Sequence, residues 1–388
     1  MDPFKQLPAE LIYEIIQYIS DFVSLENLMA ATPQVKDIFR ANHHAILERT
    51  ISSNSITSIS DIRDLFRNIA SIHCPSTHCS NLEEYMHLAH AESTPDSVLP
   101  NQTTTLDLSL QMLHIAAQIQ RLACLCLSTM RRNFVTAVTS ADTLFSPDQV
   151  RNTAEPFSWI EEYRVHWALW NLRHYSDLRK TVETQVPHDK SETPATNTWK
   201  WTAESLAKFD AYAVWNGISY YPLEQIWTVA AVLAELGLVT NSASGLSLAA
   251  WELPLETPMP FFASFELPRV VGEDLPLWRP PPIPIETPIT LAWLLTASRR
   301  YLPSGQTALY RRLCLRSASR HVICNIQPYR QIGAFLWDKW RMNSVGLLPV
   351  SLAVNEVTPL PGGGFLDAED YNMFHAQEAR WLALSSLA

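Results

Sequence analysis

Apolar residues in this chain recur at steps of three and four, and this spacing limits the fold more than any other feature of the sequence. The alternation of apolar and polar residues that builds a half-buried strand is scarce throughout. Segments with the helical spacing follow one another instead, at residues 59 to 72, 105 to 146, 156 to 183, 222 to 239 and 329 to 342. The sequence therefore predicts a mainly α protein.

The first fifty residues contain three short helical patterns. The first helix is predicted from about Pro8 to Ile19, because a proline suits a first helical turn and apolar residues follow at every fourth position. Ser24 can cap a second helix, and Thr32 followed by Pro33 can begin a third. Helices this short bury little apolar surface, so we expect a partner or the rest of the chain to cover what they leave exposed.

The remaining residues, 51 to 388, are predicted to form a larger, irregular helical domain. Its clearest helix carries an apolar stripe formed by Ile160, Tyr163, Trp167 and Trp170. A stripe of this kind is typical of a core face and not of a ligand site. The polar segment 186–198 is predicted to be a flexible loop. Between residues 251 and 288, ten prolines alternate with large apolar residues, and we expect this segment to lie extended across the helical body. Its part from Arg279 to Pro284 can alternatively be a docking peptide for a proline-reading domain.

Composition and charge argue against several classes of partner. The chain has 388 residues, 47% hydrophobic and 18% charged, as expected of a folded protein. Its formal net charge is −10 and its basic residues are scattered, so nucleic acid is not expected as a partner. The N-terminus lacks the features of a secretory signal, and polar residues interrupt the apolar stretch from Leu106 to Met130. We therefore expect no membrane span and a location in the cytoplasm, the nucleus or both.

No motif for catalysis or nucleotide binding is found in the sequence. It contains no phosphate-binding loop, no dinucleotide fingerprint and no zinc-protease motif. His166 and His174 lie on the aromatic helix and are interpreted as structural imidazoles. The neighbouring pair Glu161 and Glu162 is interpreted as solvated charge in a first helical turn. We therefore expect no catalytic residue and no cofactor.

Four potential zinc ligands lie close together in one short segment, His73, Cys74, His78 and Cys79. A structural zinc site usually joins two ligand pairs across a longer loop, and no second pair with matching spacing follows. The sequence therefore favours ordinary loop side chains over a metal site. The remaining cysteines, Cys124, Cys126, Cys314 and Cys324, have apolar neighbours and are interpreted as small core residues.

The opening segment resembles an F-box over about residues 4 to 48. The family's start is matched by Leu7 and Pro8 together with Glu10 and Leu11. The positions that match its three helices are Ile15, Ile16 and Ile19, then Leu25 and Leu28, then Val35 and Phe39. The later segments EEYRVHWALWNLRHYSDLR and IGAFLWDKWRM look like recurrent helices of the large fungal F-box group, in which a long helical region follows the box.

The resemblance implies a three-helix F-box at residues 1–50 that binds a Skp-type adaptor and, through it, a cullin. Residues 51–388 would then select a protein substrate for ubiquitination, and catalysis would occur elsewhere in the ligase. Carried over by position, the adaptor-binding residues are Leu7, Pro8, Leu11, Ile15, Ile19, Leu25 and Leu28.

Three other interpretations remain open at this stage. The seven residues can serve only the chain's own core. The protein can also be a structural or regulatory one that binds the adaptor without a degraded substrate, and ubiquitination of a co-purifying protein would count against this. An enzyme with an unfamiliar site near His166 and His174 is the third, and it would require a polar pocket with perturbed titratable groups.

Overall fold

A computed structural model describes residues 3–74, 84–85, 105–183, 220–238, 327–347, 376 and 379–384. These residues form helices and short turns, and none of them belongs to a strand, which confirms the mainly α class. The helices are α1 (Ala9–Gln17), α2 (Phe22–Ala31), α3 (Pro33–Ser53), α4 (Ser60–His73), α5 (Leu106–Ser140), α6 (Pro147–Thr153), α7 (Trp159–Glu183), α8 (Tyr220–Glu235), α9 (Gln327–Gln331) and α10 (Lys339–Ser344). Residues 379–384 are also helical. The predicted loop at 186–198, the proline-rich segment 251–288, Cys314 and Cys324 lie outside the described residues.

Two predicted helices are interrupted in the structure, each for a local reason. The prediction from 105 to 146 was too long, because α5 ends at Ser140 and Ser146 begins α6 with a capping box. The prediction from 329 to 342 was wrong as a single helix. Gly333 breaks it with a backbone φ of 77°, a left-handed conformation that favours glycine, and a 3₁₀ turn at Ala334–Leu336 precedes α10.

The chain divides into two compact units. The first comprises Met1–Cys124, His166–Gly217 and Pro258–Ile283, and the second comprises Leu125–Val165, Ile218–Thr257 and Pro284–Ala388. Both α5 and α7 contribute residues to each unit. The predicted division at residue 50 falls inside α3, and the residues on both sides of it belong to the first unit.

In the first unit, α1 and α2 both pack against α3. Five apolar side chains of these helices are 0% exposed, namely Ile12, Ile16, Leu25, Val35 and Phe39. α3 bends at Asn42, where φ is −130° and ψ is 24°. A row of aromatic rings continues the core, because the ring centroid of Phe66 lies 6.5 Å from that of Phe22 and 5.4 Å from that of Trp170. The α1–α3 helices therefore share one core with the rest of the unit.

The core of the second unit is built from aromatic side chains. Trp337 is fully buried, with its ring centroid 4.5 Å from that of Phe134 and 6.4 Å from that of Trp381. The Tyr329 hydroxyl donates to the Trp381 carbonyl at 3.0 Å. α8 packs against α9 and against the turn at Ala334–Leu336. This core joins residues that are about two hundred positions apart in the sequence.

The second unit also contains a buried cluster of charges, and it corrects the interpretation of Glu161 and Glu162 as solvated residues. Glu161 is 0% exposed and Glu162 is 4% exposed. Arg341 reaches Glu161 in a bidentate pair, with Nε–Oε1 and Nη2–Oε2 distances of 2.9 Å. The Glu161 carboxylate also accepts from the backbone N–H groups of Ser158 and Asp338. Together these partners, one near in sequence and two from a distant segment, satisfy a charge that burial would otherwise disfavour.

α5 is, by length and composition, apolar enough to span a membrane, and it is the one such helix in the described residues. In its most apolar window, 72% of the residues are buried inside the protein. Cys124 and Cys126 lie in this helix and are 7% and 0% exposed, as expected of small core residues. Burial of this extent is typical of a core helix.

Candidate protein-binding surface

α1 has apolar residues on two faces, and only one of these faces is buried. The helix follows Pro8, carries Glu10 in its first turn and ends at Gln17. The next residue, Tyr18, caps it by donating its N–H to the Ile15 carbonyl at 3.1 Å. Ile12 and Ile16 point into the first unit and are 0% exposed. The other apolar face remains open to solvent, which is unusual for a helix that already has a complete core face.

The open face carries Leu11, Ile15 and Tyr18, which we call the α1 stripe. Their exposed fractions are 46%, 39% and 86%. The spacing of four and three residues aligns them on one side of the helix. Only two other large apolar side chains in the described parts of the chain are comparably exposed, Leu144 and Leu382, and both belong to the second unit. Among the described residues of the first unit, the exposed large apolar side chains therefore lie on α1 and at the residue that caps it.

The seven residues predicted for adaptor binding do not all lie at the surface. Leu11, Ile15 and Pro8 are exposed, and Leu7, Ile19 and Leu28 are half-buried. Leu25 lies on α2, which packs against α3, and it is 0% exposed. The surface available to a partner therefore excludes Leu25. It includes Tyr18, which sequence reasoning missed although this tyrosine lies seven residues after Leu11.

The turn that follows the α1 stripe is fixed by side chains from three places in the first unit. Asn54 Nδ2 donates to the Ser20 carbonyl at 2.8 Å, and the Asp21 carboxylate accepts from Ser24 N at 2.7 Å. Gln120 Oε1 accepts from Phe22 N at 3.1 Å and from Val23 N at 3.4 Å. The first N–H groups of a helix have no partner within the helix. Asp21 and Gln120 supply those partners for α2.

Replacing Gln120 with methionine should lower the free energy of unfolding by about 2 kcal/mol, because two buried N–H donors would lose their acceptor. Gln118→Met in the same helix is the matched control. Among the residues that the structure describes, its side-chain amide bonds only to the exposed ring of His114, so we expect a change below about 0.5 kcal/mol. Urea unfolding of the full chain measures both variants. Equal effects would mean that the acceptor at Gln120 contributes no specific stability.

Partly exposed charges add to the contact between α2 and α5. Glu26 bonds to Arg121 Nη1 at 2.6 Å and to His114 Nδ1 at 2.6 Å. Arg121 also donates to Asn27 Oδ1 at 3.3 Å. Each exposed ion pair contributes at most about 1 kcal/mol. These contacts orient α2 on α5 more than they stabilise the unit.

The buried imidazoles have the environment of structural groups. Burial lowers the pKa of His166 to about 3 and that of His174 to about 4, so both rings are neutral near pH 7. His174 Nε2 bonds to the Tyr85 hydroxyl. Neither pKa lies near the value that suits a general base at neutral pH.

His73 lies beside Asp177 in an arrangement that at first suggests a catalytic pair. Burial would raise the pKa of Asp177, but hydrogen bonds from His73 and Arg173 outweigh it and hold that pKa below its ordinary value. His73 Nε2 donates to Asp177 Oδ2 at 2.9 Å, and His73 Nδ1 accepts from Gln111 Nε2 at 2.9 Å. Both ring nitrogens are therefore engaged in hydrogen bonds within the first unit.

Of the four potential zinc ligands, the structure describes only His73 and Cys74. Within the described residues, no three histidine, cysteine or acidic side chains lie close enough together to hold a metal ion.

The feature that most needs an explanation is therefore the α1 stripe, whose chemistry suits protein docking. No protein-family model, no curated protein and no solved structure matches this chain.

Proposed function

We propose that this protein is a non-catalytic substrate receptor of an SCF-type ubiquitin ligase and binds a Skp-type adaptor through α1 and the residues around it. The observation that carries the proposal is the α1 stripe, whose three apolar side chains are 39% to 86% exposed. Its position within the segment that resembles an F-box supports the assignment. The receptor would act inside the cell, in the cytoplasm, the nucleus or both.

The physical basis of the interaction is an amphipathic helix that lies in an apolar groove. Leu11 and Ile15 are one helical turn apart, so both can enter one groove of a partner. Exposed apolar side chains gain roughly 25 cal/mol for each Å² that is removed from water. α1 is already folded and packed on α3, so binding does not require the helix to become ordered. The α1 stripe can therefore convert most of its apolar burial into affinity.

The rest of the chain would supply the second binding event, the recognition of a protein substrate. A receptor needs no catalytic group, because holding a substrate near the charged conjugating enzyme raises its effective concentration there. A cullin would be reached through the adaptor and would need no surface of its own on this chain. This division of roles agrees with the structural environment of His73, His166 and His174.

Replacing Leu11 and Ile15 together with aspartate should weaken binding of the full chain to a purified Skp-type adaptor by about tenfold or more for each substitution, because two carboxylates would enter an apolar groove. Both side chains are substantially exposed in the free protein, so the double variant should fold. Isothermal titration calorimetry measures the affinity, and thermal unfolding measures the fold.

The matched control is the double variant Leu144→Asp, Leu382→Asp. These leucines are 37% and 44% exposed, so the control makes the same change of charge and polarity at similar exposure in the second unit. We expect the control to bind the adaptor like the wild type. Failure of the folded wild type to bind would refute the proposed function, and equal losses in both double variants would refute the assignment of the interface to α1.

A further inference from the structure

Lysine is scarce in this chain, although basic residues are not. Of its 29 basic residues, 22 are arginine and seven are lysine, whereas lysine is ordinarily among the commonest residues of a globular protein. The seven are Lys5, Lys36, Lys180, Lys190, Lys200, Lys208 and Lys339. The stretch from Asp37 to Arg179 therefore contains no lysine, but it contains eleven arginines. It covers more than half of the residues that the structure describes.

Contacts explain the choice of arginine at buried positions. Arg341 is 6% exposed and reaches both carboxylate oxygens of Glu161. Arg173 donates through Nε to Asp177 Oδ2 at 2.7 Å. The planar guanidinium holds its donors in a fixed fork, and a lysine ammonium cannot reproduce a bidentate pair. At buried positions of this kind, lysine would lose a specific contact.

The exposed arginines of the lysine-free stretch have no such reason. They are Arg40, Arg49, Arg131, Arg132 and Arg151. Arg40 reaches one oxygen of Asp37 through a single nitrogen at 3.3 Å, a contact that an ammonium can also make. Within the described parts of the chain, Arg49 and Arg131 make no hydrogen bond or ion pair. All five lie on helices, where lysine has nearly the same propensity as arginine.

The chemical difference that remains is the lysine ε-amine, which accepts ubiquitin. The neutral amine attacks the thioester between ubiquitin and the conjugating enzyme. An isopeptide bond forms, the C–S bond breaks, and the amine proton passes to the leaving thiolate. A receptor is held beside that enzyme for as long as its substrate is, so its own amines have the same high effective concentration there.

We infer that the absence of lysine between Asp37 and Arg179 protects this receptor from ubiquitination by its own ligase. The inference rests on the proposed function and concerns the fate of the receptor itself. Arginine supplies the positive charge of the exposed helices without supplying an acceptor amine. The receptor can then outlast the substrates that it delivers.

The test introduces amines at exposed positions, in the triple variant Arg40→Lys, Arg49→Lys, Arg131→Lys of the full chain. The ligase is reconstituted from purified Skp-type adaptor, cullin, RING subunit, conjugating enzyme and ubiquitin, without a substrate. Mass spectrometry should find ubiquitin on the introduced lysines, and ubiquitin attachment should be roughly tenfold faster than in the wild type. The matched control replaces the same three arginines with glutamine. It should be modified no faster than the wild type.

Two measurements without the ligase accompany the test. Thermal unfolding should give a Tm within about 2 °C of the wild type for both variants, because the substitutions are exposed. Acetylation with a water-soluble ester reagent should label the three introduced amines, which shows that they can be reached from solvent. A calorimetric titration with the adaptor establishes that wild type and variants bind it equally.

Each outcome bears on the inference. If the wild type binds the adaptor but the labelled lysines acquire no ubiquitin, protection by lysine scarcity is refuted while the proposed function stands. A wild type that is modified as fast as the lysine variant also overturns the inference. Equal acceleration in the lysine and glutamine variants would overturn the role of the amine. A folded wild type that does not bind the adaptor overturns both the inference and the proposed function.

Discussion

Replacing Arg341 with methionine should lower the free energy of unfolding by roughly 3–5 kcal/mol, the cost expected when a buried ion pair loses one partner. The Glu161 carboxylate would remain 0% exposed without its bidentate cation. Methionine keeps much of the arginine stem, so the loss reports mainly on the charge and its hydrogen bonds. Guanidinium unfolding monitored by circular dichroism measures the effect.

The pH dependence of the same variant follows from the pKa of Glu161. Burial raises that pKa, and Arg341 opposes the rise. The pKa of Glu161 in the folded Arg341→Met variant should therefore be still higher. Between the unfolded and folded pKa values the folded state binds the extra proton, and stability falls as pH rises. The difference in free energy of unfolding between the wild type and Arg341→Met should therefore become smaller when the pH is lowered from about 8 to about 5.

A second substitution separates the charge from the packing. In the double variant Arg341→Met, Glu161→Gln no buried carboxylate remains, and the glutamine oxygen can still accept from the backbone of Ser158 or Asp338. We expect it to be more stable than Arg341→Met alone and to lose the pH-dependent difference. A double variant no more stable than the single one would show that packing around Arg341, and not the uncompensated charge, determines the loss.

Replacing Trp337 with alanine should destabilise the protein by about 3–5 kcal/mol, because a fully buried indole would leave a cavity between Phe134 and Trp381. Trp337→Phe is the matched control. The indole Nε1 finds no acceptor within the described part of the chain, so phenylalanine gives up no hydrogen bond there. Its cost should stay below about 2 kcal/mol. Urea unfolding distinguishes the two variants, and equal costs would contradict a specific role of ring packing.

The sequence predicted the helices more reliably than it predicted which side of each helix is buried. Leu11 and Ile12 are neighbours of similar hydrophobicity, yet Ile12 is buried and Leu11 is exposed. The choice depends on where α3 lies, and periodicity within α1 does not contain that information. The same limit explains Leu25, which resembles Leu28 in sequence but is fully buried. The extent of the candidate surface therefore required the tertiary structure.

Aromatic side chains were easier to place than polar ones. Ile160, Tyr163 and Trp170 are buried as predicted, and Trp167 is half-buried, because large apolar groups at helical spacing have few other locations. The burial of Glu161 could not be foreseen, since its cation comes from a segment 180 residues away. The contact of Gln120 with α2 is similar, because it joins residues 98 positions apart. Polar partners at such separations leave no periodic signal.

The continuity of α5 and α7 has a consequence for how this protein can change during evolution or by design. Both helices pass through a boundary between the units, at Cys124 and at Val165. Cutting them there would leave backbone groups without partners and expose apolar faces. The two units are therefore not independent along the sequence, because each long helix contributes residues to both of them. A chimera that borrows one unit from another protein would have to exchange both long helices whole.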